Sequence, residues 1–318
     1  MPVPDPGLPW PVGGAAARLE RLTGSTVTEL RPIGGGHGVR HYRARLADGR
    51  DLFVKAAADP SGAAGPPGRP AADSLSLAGP GAGAGAAFAA QASGLRWLSE
   101  AKAVPVPELI CADNGLLAVI WLPHASADRA AAERFGGDLA RLHAAGSASF
   151  GAPWPGFIAS LPLPNDQAES WPPWYAQQRL LPFARLARQA GTLSRADVAL
   201  IEKVADRITE LAGPAEPPSR IHGDCWSGNV LWSSGRGALI DPAAHGGHRE
   251  SDLAMLALFG APYLDRILAA YQEQAPLADG WRQRAPLHQL HPLLAHVCLF
   301  GAGYRDAALA AAHAALAG

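Results

Sequence analysis

Between residues 26 and 55 apolar and polar side chains alternate in three short runs. Thr26–Ile33 leads into Gly34-Gly35-Gly36-His37-Gly38, His41–Leu46 follows, and Asp51–Lys55 comes after the turn at Asp48-Gly49. Period-two alternation punctuated by glycine turns predicts antiparallel strands. The period then changes. Phe88, Ala92, Leu95 and Leu98 recur at helical spacing and predict a helix over Phe88–Ser99. Pro105 and Pro107 break the chain, and Leu109–Cys111 and Leu117–Leu122, around Asn114-Gly115, predict two more strands. Residues 1–122 therefore read as a small antiparallel sheet carrying one helix.

Helical periodicity dominates the remainder. Ala130–Ala145 and Arg195–Ala212 predict helices, the second opened by Ser194 with Asp197 three residues on, a weaker form of the capping box. Val230–Trp232 and Ala238–Ile240 predict a short hairpin around Ser233–Gly237. Helical patterns resume at Ser251–Leu258, at Tyr263–Gln274, and from His288 to the end. Trp171, Trp174 and Tyr175 follow Pro162–Pro164 in what reads as a loop-rich stretch, where they anchor the loop or line a cleft. No internal repeat is present. The expected fold class is α+β, with a small β lobe over residues 1–122 and a larger, mainly α-helical lobe over 123–318. That is the layout of a kinase-like fold.

Composition modifies this picture in one place. Gly (36) and Pro (29) are abundant and charged residues make up 17%, below the roughly 25% of an average domain. Part of the excess falls in residues 56–87, almost devoid of large apolar side chains, which predicts a flexible surface insertion. The net charge of -1 argues against a nucleic-acid partner, which needs a basic surface. Three scattered cysteines do not make a disulfide framework or a thiolate zinc site. No apolar run is long enough to span a membrane, and the N-terminus lacks the basic start and apolar run of a secretory signal. The expectation is a cytoplasmic protein, with a monomer favoured.

The candidate chemistry lies in Ile221-His222-Gly223-Asp224-Cys225-Trp226-Ser227-Gly228-Asn229, followed by Leu239-Ile240-Asp241-Pro242. Transferring a phosphoryl group to a hydroxyl needs a carboxylate to orient the hydroxyl and take its proton. It also needs oxygen ligands for the magnesium on the nucleotide phosphates. An Asp, an Asn five residues later, and a second Asp returned by a hairpin supply these: Asp224 as base, Asn229 and Asp241 as metal ligands. Upstream, Lys55 ends a strand after a glycine-rich turn, where it can meet phosphates while Gly34, Gly35 and Gly36 let the backbone approach. Other chemistries find less support. His245-x2-His248 and His288-x2-His291-x4-His296 lack the H-E-x-x-H pattern and any nearby cysteine, so core or surface histidines are favoured over zinc. G-x-S-x-G is absent.

The string His222–Asn229, with Ile240-Asp241-Pro242-Ala243 and Gly247-His248-Arg249-Glu250-Ser251-Asp252-Leu253-Ala254-Met255, resembles the fructosamine kinase (ketosamine 3-kinase) family. Weaker matches at Gly94–Leu98, Gln177-Gln178-Arg179-Leu180 and Leu299–Tyr304 fall in family order, and the resemblance covers roughly residues 20–310, leaving out the 56–87 insertion. It implies a protein-kinase-like bilobal fold, ATP and Mg²⁺ as cofactors, and a small-molecule or protein-bound ketosamine as partner. The 3-hydroxyl of the sugar is phosphorylated and the product decomposes, a deglycation role. Carried over, Gly34–Gly36, Lys55, Gln91, Ile120 and Leu122 contact the nucleotide, while Trp226, His248 and Glu250 face the substrate. Asp252 braces the catalytic loop. Gln91 stands where the family pattern expects a Glu to pair with Lys55; it can accept a hydrogen bond from Lys55 without bringing charge, unless Glu100 compensates. Two alternatives stay open: a phosphotransferase of the same fold acting on aminoglycosides or choline, and a nucleotide-binding pseudokinase.

Overall fold

The alternating runs become strands in a computed structural model that describes residues 12–36, 38–57 and 84–318. Helix α1 (Val12–Thr23), which the sequence pattern did not suggest, precedes β1 (Val27–Gly36), β2 (Val39–Leu46) and β3 (Asp51–Ala57). Then come α2 (Ala84–Glu100), β4 (Leu109–Ala112) and β5 (Leu116–Ile120). The five strands form one antiparallel sheet in the order β1-β2-β3-β5-β4. One face packs Tyr42, Ala44, Leu52, Val54 and Ala118 around Leu19 of α1. The other meets α2 through Phe88, Ala92 and Leu95 against Leu117 and Val119. Those three are part of the predicted apolar face, whose fourth residue, Leu98, packs instead into the core of the helical part, and each large side chain so buried contributes about 1.5–3 kcal/mol. The insertion expected over 56–87 is narrower at its edges, because β3 runs to Ala57 and α2 starts at Ala84; residues 58–83 lie outside the described residues.

The helical part begins with α3 (Arg129–Ala144), capped by Asp128, which accepts from Ala131 N–H at 2.7 Å. A hairpin of β6 (Gly156–Ile158) and β7 (Leu161–Leu163) follows. The stretch expected to be loop-rich is helical instead. Helix α4 (Trp171–Tyr175) continues through a π-helical turn (Ala176–Leu180) into α5 (Leu181–Gln189). Pro172, Pro173 and Pro182 hid it, yet they sit in the first turn of their segments, where proline is well tolerated. Next are α6 (Arg195–Asp206) and α7 (Ile208–Leu211), one predicted helix split at Arg207. Ser194 and Asp197 form the expected reciprocal capping box, at 3.1 and 2.7 Å.

Strands β8 (Ser219–Ile221), β9 (Val230–Ser233), β10 (Arg236–Leu239) and β11 (His245–Gly247) carry the candidate catalytic string. Helices α8 (Arg249–Phe259), α9 (Leu264–Gln274), α10 (Trp281–Phe300) and α11 (Arg305–Ala317) complete the chain. The last predicted helix starts earlier than expected, at Trp281, and is interrupted at Gly301, whose φ is +85°. Two apolar cores result. One joins β6–β7, α4–α6, α10 and α11; the other joins α3, α9 and the β9–β10 hairpin. The architecture is α+β and bilobal, as the pattern implied.

Candidate active site

Pairing of β8 with β11 sets His245 opposite Ile221, so the loop Ile221–Asn229 starts from a fixed base. Gly223 follows, with φ +79°; a Cβ there would lie 2.3 Å from Ala243 O, so only glycine fits. Asp252 on α8 holds the loop from behind, accepting the N–H groups of His222 at 2.7 Å and Gly223 at 2.9 Å. His143 Nε2 lies 3.2 Å from the same carboxylate, and its Nδ1 lies 2.8 Å from Tyr271 Oη. Burial pushes the Asp252 carboxyl up, but these donors outweigh it and hold it below its ordinary value. His222 bridges inward. Its Nε2 reaches Ile240 O at 2.9 Å while Nδ1 accepts from Asp224 N–H at 3.3 Å, which assigns the neutral Nε2–H tautomer. Burial lowers its pKa, in agreement.

The three oxygen-bearing side chains converge. Asn229 Nδ2 donates to Asp224 O and to Asp224 Oδ2, both at 2.9 Å. Its nitrogen being committed there, Oδ1 is left for another partner. The β9–β10 hairpin closes as expected, with Ile240 N–H donating to Asn229 O at 3.0 Å. Asp241 follows in the left-handed region, φ +55°. Its Oδ1 receives Lys55 Nζ at 2.8 Å and Gln91 Nε2 at 3.3 Å. The pKa of Asp224 is raised to about 7, chiefly by burial; its Asn229 bond opposes this, while Asp241 and Asp252 add to it. A carboxylate poised near neutrality beside an open cleft suits proton acceptance from a hydroxyl. Asn229 Oδ1 and the Asp241 carboxylate are hard oxygen donors, the type magnesium takes.

Asp224, Asn229 and Asp241 line a cleft of about 430 Å³ together with Gly35, Gly36, Lys55, Gln91 and Trp226. Gly35 has φ +149°, and a Cβ there would lie 2.5 Å from Val39 O, so a side chain is excluded at that point of the cleft's border. Gly34 lies on the same strip. The Trp226 indole is 40% exposed and meets Phe259 edge-on at 6.2 Å. Ile120 and Leu122 line a second, largely apolar cavity of about 200 Å³, with Phe53, Leu117 and Leu231. Asp241 borders both spaces.

Other expectations are corrected. Gln91 donates to Asp241 instead of accepting from Lys55, and Lys55 takes its carboxylate partner from the hairpin instead of from α2. Glu100 does not compensate; it is exposed and lies 3.5 Å from Arg220. His248 and Glu250 do not reach the cleft. Both are buried at the start of α8, where His248 caps the helix and stacks near Trp171 at 4.9 Å. Glu250 takes two bonds from Arg284, at 2.6 and 3.0 Å, and faces His288 at 3.3 Å. Burial pushes its carboxyl up, but His288 and Arg284 bring it down to about 2. His248, Glu250 and His288 place ligand atoms within 4.8 Å of one another, but both Glu250 oxygens are already bonded to a guanidinium, which disfavours a cation. Trp171, Trp174 and Tyr175 are buried core residues. Sequence reasoning missed His41, Phe88, Phe157 and Ser160, which also line the cleft. His41 had a signal, because it pairs across the sheet with Lys55; the others depend on long-range packing.

A family model described as fructosamine kinase matches residues 81–317. A probable ketoamine kinase of Synechocystis is 34% identical over 229 residues, covering 70% of this chain and 76% of that protein. The probable ketoamine kinase YniA of Escherichia coli is 33% identical over 219 residues, covering 67% and 75%. Among solved structures, a presumed fructosamine-3-kinase from Thermobifida fusca is 50% identical, with a TM-score of 0.85 over 95% of this chain and 98% of that one. An ADP-bound aminoglycoside phosphotransferase, 14% identical with a TM-score of 0.60 over 95% and 98%, shares the fold.

Proposed function

The chain belongs to the fructosamine kinase family and is a phosphotransferase acting on a hydroxyl group, and from that premise we propose that it phosphorylates the sugar 3-hydroxyl of ketosamines with ATP and Mg²⁺. The observation that carries this reading is the convergence of Asp224, Asn229 and Asp241 on one cleft that also exposes the Trp226 indole. Residues 1–122 contribute the nucleotide contacts. The apolar slot at Ile120 and Leu122 takes the base, while Lys55 and the Gly34–Gly36 strip take the phosphates, whose charge they offset. Residues 123–318 contribute catalysis and acceptor binding.

Asp224 orients the attacking hydroxyl and takes its proton, held in place by Asn229 and by a loop anchored on Asp252. Asn229 Oδ1 and Asp241 would hold the magnesium ion, which when bound neutralises charge on the phosphates. Lys55, 2.8 Å from Asp241 at the same cleft, would meet the nucleotide phosphates. Trp226 offers a flat apolar face to the C–H side of the sugar. Phosphorylation at this hydroxyl makes the ketosamine unstable and frees its amine, a repair role in the cytoplasm. The pseudokinase reading is disfavoured because the base Asp224 and both candidate metal ligands, Asn229 and Asp241, are present at one cleft.

The test is ATP consumption with Mg²⁺ against fructosyl-lysine, ribulosyl-lysine, aminoglycosides and choline. Turnover of the ketosamines is expected. Turnover restricted to aminoglycosides or choline, or nucleotide binding without turnover on any acceptor, overturns the reading.

A further inference from the structure

The β6–β7 hairpin borders the cleft, and its two faces differ. Ile158, Leu161 and Leu163 are buried in the core of the helical part, with Ile158 also bordering the cleft. Phe157 is half-buried, Ala159 and Ser160 are exposed, and all three line the cleft that holds Asp224 and Trp226. The register Phe157↔Pro162 and Ile158↔Leu161 leaves Ala159 and Ser160 as the turn. Ala159 has φ +50°. A two-residue hairpin turn requires positive φ at its first residue, a conformation strained for alanine that the flanking chain must hold.

Arg179 supplies that constraint. Its side chain is 1% exposed and, among the described residues, has no carboxylate partner. Its donors go to Pro164 O, to Gln178 O at 3.0 Å and to Asn165 Oδ1 at 3.0 Å. Asn165 Nδ2 reaches back to Trp154 O at 3.3 Å. One guanidinium thus fixes the chain just after β7 and, through Asn165, the chain just before β6. The Trp174 ring lies 4.2 Å from the guanidinium carbon and closes the arrangement. Trp154 in turn meets Trp97 of α2 edge-on at 5.6 Å, which ties the hairpin to the helix bearing Gln91. Arg179 sits on the π-helical turn Ala176–Leu180, a distortion that gathers at functional sites. A buried cation that spends donors on two neutral oxygens at the base of one hairpin, and on none that is charged, is placed to hold that hairpin.

We infer that the β6–β7 hairpin is the acceptor wall: Phe157 and Ser160 contact the sugar of the bound ketosamine, and Arg179 is the positioning residue that fixes them. The chemistry fits a polyhydroxylated ligand, with an aromatic surface for C–H groups and a hydroxyl that both donates and accepts. The inference rests on the ketosamine kinase reading above. Phe157→Ala, Ser160→Ala, Arg179→Met and Arg179→Lys are compared with the unchanged chain for the KM of fructosyl-lysine and of ATP. The two tip variants are expected to raise the acceptor KM roughly three- to tenfold, the size of one lost neutral contact, with ATP KM and thermal midpoint unchanged. Arg179→Met raises the acceptor KM in the same selective way, and Arg179→Lys, which keeps a donor, recovers part of it. Tip variants that leave the acceptor KM unmoved, or move both constants equally, overturn the assignment while ketosamine turnover by the unchanged chain still stands. Absence of that turnover overturns the functional reading, and the assignment with it.

Discussion

Replacing Gln91 by Glu tests the most unusual feature of the site. Gln91 Nε2 lies 3.3 Å from Asp241 Oδ1, the oxygen that also receives Lys55 at 2.8 Å. A carboxylate oxygen in place of that nitrogen sets two negative charges at the same separation. Coulomb's law gives about 1.3 kcal/mol of repulsion at the permittivity of water and twice that at half the permittivity. The Asp241 side chain is 38% exposed, so the lower figure applies, less what Lys55 offsets. Without magnesium, Gln91→Glu should therefore lower stability by about 1 kcal/mol, a fall of about 2 °C in the thermal midpoint. With magnesium and ATP the sign reverses. Asn229 and Asp241 would hold the ion, and Lys55, facing the phosphates, would gain the new carboxylate as a charge-assisted partner in place of a neutral amide. That exchange is worth about 1 kcal/mol, or roughly a fivefold lower KM for ATP. Scanning calorimetry with chelator and with MgATP, alongside steady-state kinetics, reads both effects. Gln91→Leu, which adds no charge, controls for the lost hydrogen bond. If Gln91→Glu leaves both the magnesium-free midpoint and the ATP KM where they were, the account of the Lys55–Asp241–Gln91 cluster is wrong.

Trp226→Ala should raise the acceptor KM roughly tenfold, with a modest fall in thermal midpoint from the lost Phe259 contact; an unchanged acceptor KM removes Trp226 from the substrate site. Arg284→Ala should destabilise the fold by roughly 3–5 kcal/mol, since it strands the buried Glu250 carboxylate, and the double change Arg284→Met with Glu250→Gln should recover most of that. A calorimetric loss under 1 kcal/mol would instead return Glu250 to consideration as a substrate contact. Burial holds His245 at a pKa of about 3, against 6.5 when unfolded, so the unfolded chain binds the extra proton between those values. Stability from this group is complete above pH 6.5 and declines as pH falls, by roughly 1.4 kcal/mol per unit. The difference in stability between the unchanged chain and His245→Phe, followed from pH 7 to 5, should shrink with that slope; a flat difference contradicts it.

What the sequence disclosed was local. Asp224, Asn229 and Asp241 lie within 18 consecutive residues, and the β9–β10 turn returns Asp241 beside Asn229, although the Asp224 loop also leans on Asp252. The face of α2 and the strand alternation were legible for the same reason. Partners set by long-range packing were not. Glu250 was placed in the substrate site because it stands in a conspicuous string, but Arg284, 34 residues later, draws it into the core. Nothing near Gln91 reveals that its amide turns to Asp241, 150 residues away, instead of to Lys55. Helix α4 and the turn after it were obscured by prolines that mark loops and helix starts alike, and with them the role of Arg179.

The most direct test follows phosphoryl transfer from ATP to fructosyl-lysine by ³¹P NMR, with the unchanged chain and Asp224→Asn. The account predicts a sugar phosphate ester at the 3-hydroxyl and its slow decay with release of lysine. Asp224→Asn should form it at least roughly a hundredfold more slowly at an unaltered ATP KM, the loss expected of a missing general base. An ester at another position, or Asp224→Asn turning over as fast as the unchanged chain, contradicts it.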